Sequence, residues 1–235
     1  MFYVGLDLGQ AQDFTALAVI EKVHNEAEAV EFERFSRLHR ASKLKLNEIQ
    51  YLNELRRTKP TFHHLRHIDR VPLGTPYPVI IEMVKSLVQK DALRGKAYLV
   101  VDATGCGRPI VDEIRKTRLP LSAILITGGH RVNYADGYIH VPKRELVSML
   151  QLLLGNNRLK FAADLPDIKN LINELLNFQL TISENAHDTY EGRQGVHDDL
   201  VLAVALAAWY SEIHGTAGDP PIQTHYDPFG LLKNI

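Results

Sequence analysis

The sequence predicts an α/β domain on a mixed sheet, an antiparallel three-strand meander followed by parallel strands, flanked by helices. Three observations lead there. Residues 3–8 and 15–23 are apolar runs joined by a glycine-containing turn, which reads as a hairpin. Residues 97–102, Ala-Tyr-Leu-Val-Val-Asp, form a continuous apolar run of the kind buried on both faces, as parallel strands are. A helical segment and a second apolar run, 121–127, follow it, giving a strand–helix–strand unit. With 235 residues, 45% of them hydrophobic, the chain can bury one sizeable core.

The first strand ends in Asp7, and Gly9 to Asp13 turns the chain into the second. Residues 29–38, with Val30, Phe32 and Phe35 among charges, are expected to supply the third strand. Leu44, Ile49, Leu52 and Leu55 recur at roughly helical spacing over residues 42–57, and Pro60 stops the run, so a basic amphipathic helix is expected there. A helix over 79–93 follows the prolines at 76 and 78 and closes at Gly95. Beyond strand 97–102 come a helix over 110–116, strand 121–127, a short strand over 138–141, and a helix over 143–154 set between Pro142 and Gly155. Edge strands are expected at 158–161 and 178–182, separated by a helix over 166–176. The last element, 198–214, is apolar on every side and therefore a buried helix; it opens with two acids. This places the domain at 1–214, with a basic insertion around 39–70 and an extended tail over 215–235.

Composition narrows the function. No basic leader precedes an apolar stretch, and no window reaches the roughly 18 apolar residues of a membrane span, so a soluble, cytoplasmic protein without a membrane partner is expected. Cys106 is the only cysteine, which excludes an internal disulfide and a multi-cysteine zinc site. The net charge of -1 conceals a basic stretch, because residues 34–70 hold ten Lys or Arg against three acids. Arg40, Lys43, Lys45, Arg56 and Arg57 in that stretch are candidate phosphate contacts to a polyanion.

The acids carry the chemistry. Asp7 and Asp102 end strands, and Asp198 and Asp199 begin the buried helix. Each alone is what a turn or a helix cap would place there. Gathered at one sheet edge, they would repel and raise one another's pKa values, a repulsion that divalent cations turn into ligation. Oxygen donors select magnesium or manganese over zinc, and such a site suits phosphodiester cleavage.

Val4-Gly5-Leu6-Asp7-Leu8-Gly9 with Asp13, Val100-Val101-Asp102-Ala103-Thr104-Gly105, and Gly195-Val196-His197-Asp198-Asp199-Leu200 together resemble the C-terminal nuclease domain of phage large terminases, in the ribonuclease H-like superfamily. The likeness spans about residues 1–212, and its third motif is the most specific. It implies a ribonuclease H-like fold and a two-metal endonuclease acting on double-stranded DNA during genome packaging, with Mg2+ or Mn2+, two ions, as cofactor. Asp7, Asp102 and Asp199 match its catalytic and metal-binding triad, Asp198 a further metal ligand, and Asp13 an accessory acid. Lys143 is a candidate DNA-phosphate contact, and His197 a candidate for orienting a ligand or moving a proton. The implied partners are a separate ATPase motor, a portal or a small terminase subunit, in a bacterial host cytoplasm.

One departure matters: no Gly-x-x-x-x-Gly-Lys-Ser/Thr loop occurs, so no ATP site is expected in this chain. The Gly-x-Asp-x-Gly start also opens actin-like ATPases and sugar kinases, which need a duplicated fold and a second phosphate loop. A Holliday-junction-resolvase-like nuclease and a non-catalytic DNA-binding module of a packaging machine are the remaining alternatives.

Overall fold

A computed structural model describes residues 1–9, 13–24, 61–105, 108–184 and 197–214. Its centre is an eight-stranded sheet in the order β6-β7-β5-β4-β1-β2-β3-β8. β1 (Phe2–Asp7), β2 (Thr15–His24) and β3 (Thr61–Val71) form the antiparallel meander. β4 (Ala97–Asp102) lies parallel to β1, and β5 (Leu121–Thr127) parallel to β4. The three-strand meander extended by parallel strands is the ribonuclease H-like arrangement that the sequence predicts.

β7 (Tyr138–Pro142) adds to β5 in parallel, and β6 (Asn133–Ala135) folds back on β7. Their two-residue loop, Asp136-Gly137, holds φ of 54° and 77°, the paired positive values of a hairpin turn in which Asp and Gly are favoured. β8 (Leu159–Phe161) closes the far edge beside β3, as expected for an edge strand.

Side chains alternate across each strand, so every strand feeds two layers. Val4, Leu6, Leu99 and Val101 enter one core with α1 (Tyr77–Val88) and α2 (Arg108–Lys116). Tyr3, Tyr98 and Val100 enter the other, with α3 (Lys143–Gly155), α4 (Ile168–Glu184) and α5 (Asp199–His214). α5 is buried from Asp199 through Ser211, enclosed by the sheet below and by α3 and α4 above, which explains its apolar circumference.

Some expectations are corrected. The third strand of the meander is β3, Thr61–Val71, rather than residues 29–38, which lie outside the described residues together with the helix expected over 42–57. Residues 61–70, placed in a basic insertion, are therefore part of a sheet strand, and 39–60 lie outside the described residues. The charges of β3 hid it, yet Leu65 and Ile68 enter the core under α5, their phase broken by a bulge opposite Val19 and Ile20, and Val71 enters the opposite core. Residues 178–182 are helical, not an edge strand, because α4 runs on to Glu184. The tail 215–235 lies outside the described residues.

The helix–sheet contact is closest at Gly5. A Cβ there would stand 1.9 Å from the Ala203 carbonyl oxygen of α5. Gly5→Ala must push the helix off the sheet and should cost on the order of 2–3 kcal/mol in urea unfolding. Gly155→Ala, where an added Cβ meets nothing within 4 Å, should change stability by less than about 1 kcal/mol. Equal effects at the two positions would refute the close approach.

Candidate functional site

A row of residues crosses four strands at one end of the sheet. Asp7 pairs with Ala16 of β2, and Ala16 pairs with Arg70 of β3. In the other direction, the parallel register of Leu6 with Val101, carried one step on, sets Asp7 beside Asp102. Two residues separate Asp7 from Gly5 and Asp102 from Val100, so both acids point to the face that carries α5.

α5 arrives at the same corner for a metric reason. Ala203 rests on Gly5. Four residues back along a helix is about 6 Å, and two residues forward along a strand is about 6.6 Å, so Asp199 and Asp7 are brought to the same level. Asp7, Asp102 and Asp199 are 8%, 7% and 7% exposed, and all three carboxyls are thus withdrawn from water.

Burial is the largest influence on each, and it raises all three pKa values. Asp7 is driven well above the usual carboxylate range by burial and then by Asp102, Asp199 and Asp198, with Lys143 opposing. Asp102 is raised by burial against the hydrogen bonds of Thr104, a hydrogen bond with Asp7, and the charge of Lys143. A hydrogen bond between two carboxyls requires that one hold a proton. Asp199 is raised by burial and by Asp198 and Asp13, while Arg70 and His197 pull it down.

The sequence candidates sort accordingly. Lys143 donates to Asp198 Oδ2 at 2.7 Å and so stands at the acids from the first residue of α3. His197 Nδ1 is 3.7 Å from Asp199 Oδ2, and its ring meets Phe14 edge-on at 5.0 Å. Asp13 is exposed and acts on Asp199 only through charge. Arg40, Lys43, Lys45, Arg56 and Arg57 lie outside the described residues.

Three residues escaped the sequence reading. The Thr104 amide donates to Asp102 Oδ1 at 2.7 Å, and its hydroxyl accepts from Ile126 N–H at 2.7 Å; an Asp followed two residues later by Thr is the signal for such a turn. Arg70 was only one charge in a basic stretch, yet it sits 3.8 Å from Asp199 Oδ2 and 4.8 Å above the Phe14 ring. Glu174, 7% exposed, interrupts the apolar stripe of α4 beside Leu171 and Leu175, and an acid at a core position of a helix is a signal in its own right.

The donors fit a hard divalent cation. All are carboxylate oxygens, and the buried Asp199 Oδ2 has no hydrogen-bond partner. Among the described residues no three acids already surround a common point. Asp7 and Asp102 face each other, Asp198 turns to Lys143, and Asp199 faces Arg70 and His197. Repelling carboxylates settle on the nearest protons and cations in this way.

Fold and site thus define a ribonuclease H-like domain with a buried carboxylate cluster at its strand ends. No family model matches the chain. In sequence it is similar to the large terminase subunits of Thermus phage G20c and Thermus virus P23-45, 28% identical to each over 129 residues. That alignment covers 53% of this chain and 22% of each relative, so the matched segment spans about a fifth of their length. The relatives are those to which the three acid motifs pointed. Among solved structures, the large terminase nuclease of thermophilic phage G20c overlaps with a TM-score of 0.49 at 18% identity, over 90% of this chain and 82% of that one. Its magnesium-bound form gives 0.49 at 18%, over 88% and 80%. The manganese-soaked human cytomegalovirus terminase nuclease domain gives 0.42 at 13%, over 88% and 82%.

The raised carboxyls make stability depend on pH. Asp7 and Asp102 bind protons more tightly folded than unfolded, so their stabilising contribution is complete below the ordinary value of 3.8 and is lost as pH rises through the raised values. In chelator at neutral pH, Asp7→Asn should therefore be more stable to urea than wild type by about 1–3 kcal/mol, and the gain should vanish in acid. A gain independent of pH, or none, would contradict the charge repulsion.

Proposed function

We propose that this chain is a divalent-metal-dependent endonuclease that hydrolyses phosphodiester bonds of double-stranded DNA, as a terminase nuclease does in genome packaging. The observation that carries the reading is the meeting of Asp7, Asp102 and Asp199, from three distant stretches of sequence, in one buried corner with Asp198 beside them. Burying carboxylates against one another is costly, and a resident cation removes the cost.

Asp7, central in the row, would hold cations jointly with Asp102 on one side and Asp199 on the other, with Asp198 supporting them. Bound there, one or two magnesium or manganese ions supply Lewis-acid activation of water and of the scissile phosphate. Asp7 and Asp102 give up the proton they share when they become ligands, so affinity should rise with pH. Lys143, already paired with Asp198, supplies positive charge beside the acids for a DNA phosphate. Asp13 adds negative charge at the rim, and His197 sets its imidazole beside Asp199. An ATP-driven motor, a portal or a small terminase subunit would be supplied by other polypeptides or segments.

Purified protein incubated with supercoiled DNA and manganese should produce nicked and linear forms, and Asp7→Ala and Asp199→Ala should reduce cutting to background. A wild type that cuts nothing, or variants that cut as well as it does, would end the metal-nuclease reading. Lys143→Met should weaken DNA binding uniformly across sequences and lower the slope of log affinity against log salt by about one. An unchanged slope would remove Lys143 from the DNA contact.

A further inference from the structure

Helix α5 begins in an unusual way. Its first hydrogen bond runs from Leu202 N–H to the Asp198 carbonyl oxygen at 2.9 Å, which makes Asp198 the capping residue and Asp199 the first residue of the helix. An aspartate at the cap position normally turns its carboxylate onto the N–H groups two and three residues ahead. Those belong to Leu200 and Val201, and another helix has taken them. Glu174 Oε2, from α4, accepts from Leu200 N–H at 3.0 Å and from Val201 N–H at 3.2 Å.

The other oxygen of Glu174 is used as well. Oε1 accepts from the Arg70 guanidinium, whose charge stands 3.8 Å from Asp199 Oδ2. That separation is near enough to attract the carboxylate and too long to hydrogen-bond it. Arg70 is fixed in turn, because its backbone N–H donates to Asp167 Oδ2 at 3.1 Å at the entry to the same α4, and its guanidinium lies over Phe14. Glu174 thus joins β3, α4 and the first turn of α5 where the acids converge.

Neither acid of the pair is consumed by its own helix. Asp198 is free to meet Lys143, and Asp199 keeps a buried Oδ2 with no hydrogen-bond partner. An unpaired buried carboxylate oxygen is expensive, and it persists only where the surroundings hold it in place.

We propose that Glu174 and Arg70 are positioning residues for Asp199: Glu174 caps α5 in place of the acids of α5 and fixes Arg70, and together they keep the Asp199 carboxylate aimed at the cation site. The proposal rests on the metal-nuclease reading. It adds that the ligand geometry is set from α4 and β3, with neither positioning residue touching metal or DNA. When Glu174 is lost, Asp198 or Asp199 should turn back to cap its own helix.

The test is manganese affinity by calorimetry on wild type, Glu174→Ala, Glu174→Gln and Asp199→Ala, at a temperature where circular dichroism shows each folded. It is paired with amide exchange at Leu200 and Val201 and the Asp199 carboxyl carbon resonance, both in chelator. Glu174→Ala should weaken manganese binding about 10–100-fold, the usual effect of losing a partner behind a metal ligand, and should shift the Asp199 resonance. Glu174→Gln retains an oxygen for the two amides while losing the ionic hold on Arg70, so it should keep them protected and lose less affinity. It also serves if the alanine variant does not fold. If a folded Glu174 variant melts earlier yet binds manganese within about twofold of wild type with the Asp199 resonance unmoved, Glu174 is merely a structural cap and the proposal fails. The two readings separate on wild type. Should wild type bind no manganese while Glu174→Ala still shifts Asp199, the metal reading falls and the positioning frame stands.

Discussion

The contact on which the rest depends is the seating of α5 directly on β1 at Gly5. With only a hydrogen between the Gly5 backbone and the Ala203 carbonyl, the helix axis comes nearer the sheet than any side chain would allow. This closeness buries the sheet-facing side of α5, as α3 and α4 bury the other, and it fixes how far along β1 the helix begins. Packing and chemistry thereby share one determinant: the small residues Ala203 and Ala207 that fit over Gly5 also place Asp199 level with Asp7.

The corner is electrostatically unfavourable, and other parts of the fold offset it. At the opposite end of α5, Glu212 accepts from Arg158 at 2.7 Å and from Thr61 at 3.1 Å, with His63 Nε2 at 3.4 Å, while Lys22 donates to the Ser211 carbonyl at 2.6 Å. The lysine neutralises the negative end of the helix dipole, and the cluster ties α5 to β2, β3 and the strand entering β8. Burial holds His63 at a pKa of about 4, so it is neutral at physiological pH and adds no second charge beside Arg158. In the middle, Tyr98 stacks on Tyr210 with centroids 4.9 Å apart, and both hydroxyls meet Ser122 at 3.1 Å, so these three buried hydroxyls are satisfied. The carboxylate repulsion thus sits at one end of α5, while opposite charges meet at the other.

What the sequence disclosed follows from range. Asp7 and Asp102 were legible because apolar runs ending in an acid mark strand ends, and Asp198-Asp199 because two acids open a helix apolar all round. Less was legible where distant segments decide. β3 reads as charged surface, since His64, Arg66 and His67 lie between the buried positions and a bulge in β3 itself, at Arg66, shifts their phase. Residues 178–182 carry Leu, Thr and Ile and suit a strand locally, but α4 passes through them as a helix. The Asp136-Gly137 hairpin is a local feature, carried by its dipeptide. Glu174 and Arg70 are 104 residues apart, and no local pattern joins them.

Their separation bears on how such a site is maintained. A carboxylate at a helix start has two competing uses, to cap the helix or to bind a ligand, and the first is always available because the amides are a bond or two away. Within one chain, the second use prevails only if something else satisfies those amides. Glu174 does so from a helix whose own position is tied to β3 through Asp167 and Arg70. The same carboxylate that removes the competition therefore also places a positive charge near Asp199, strong enough to restrain it and distant enough to leave its oxygen available. Capping and aiming are one interaction with two ends, which gives a buried glutamate a use at a position of α4 that apolar packing alone would fill with leucine.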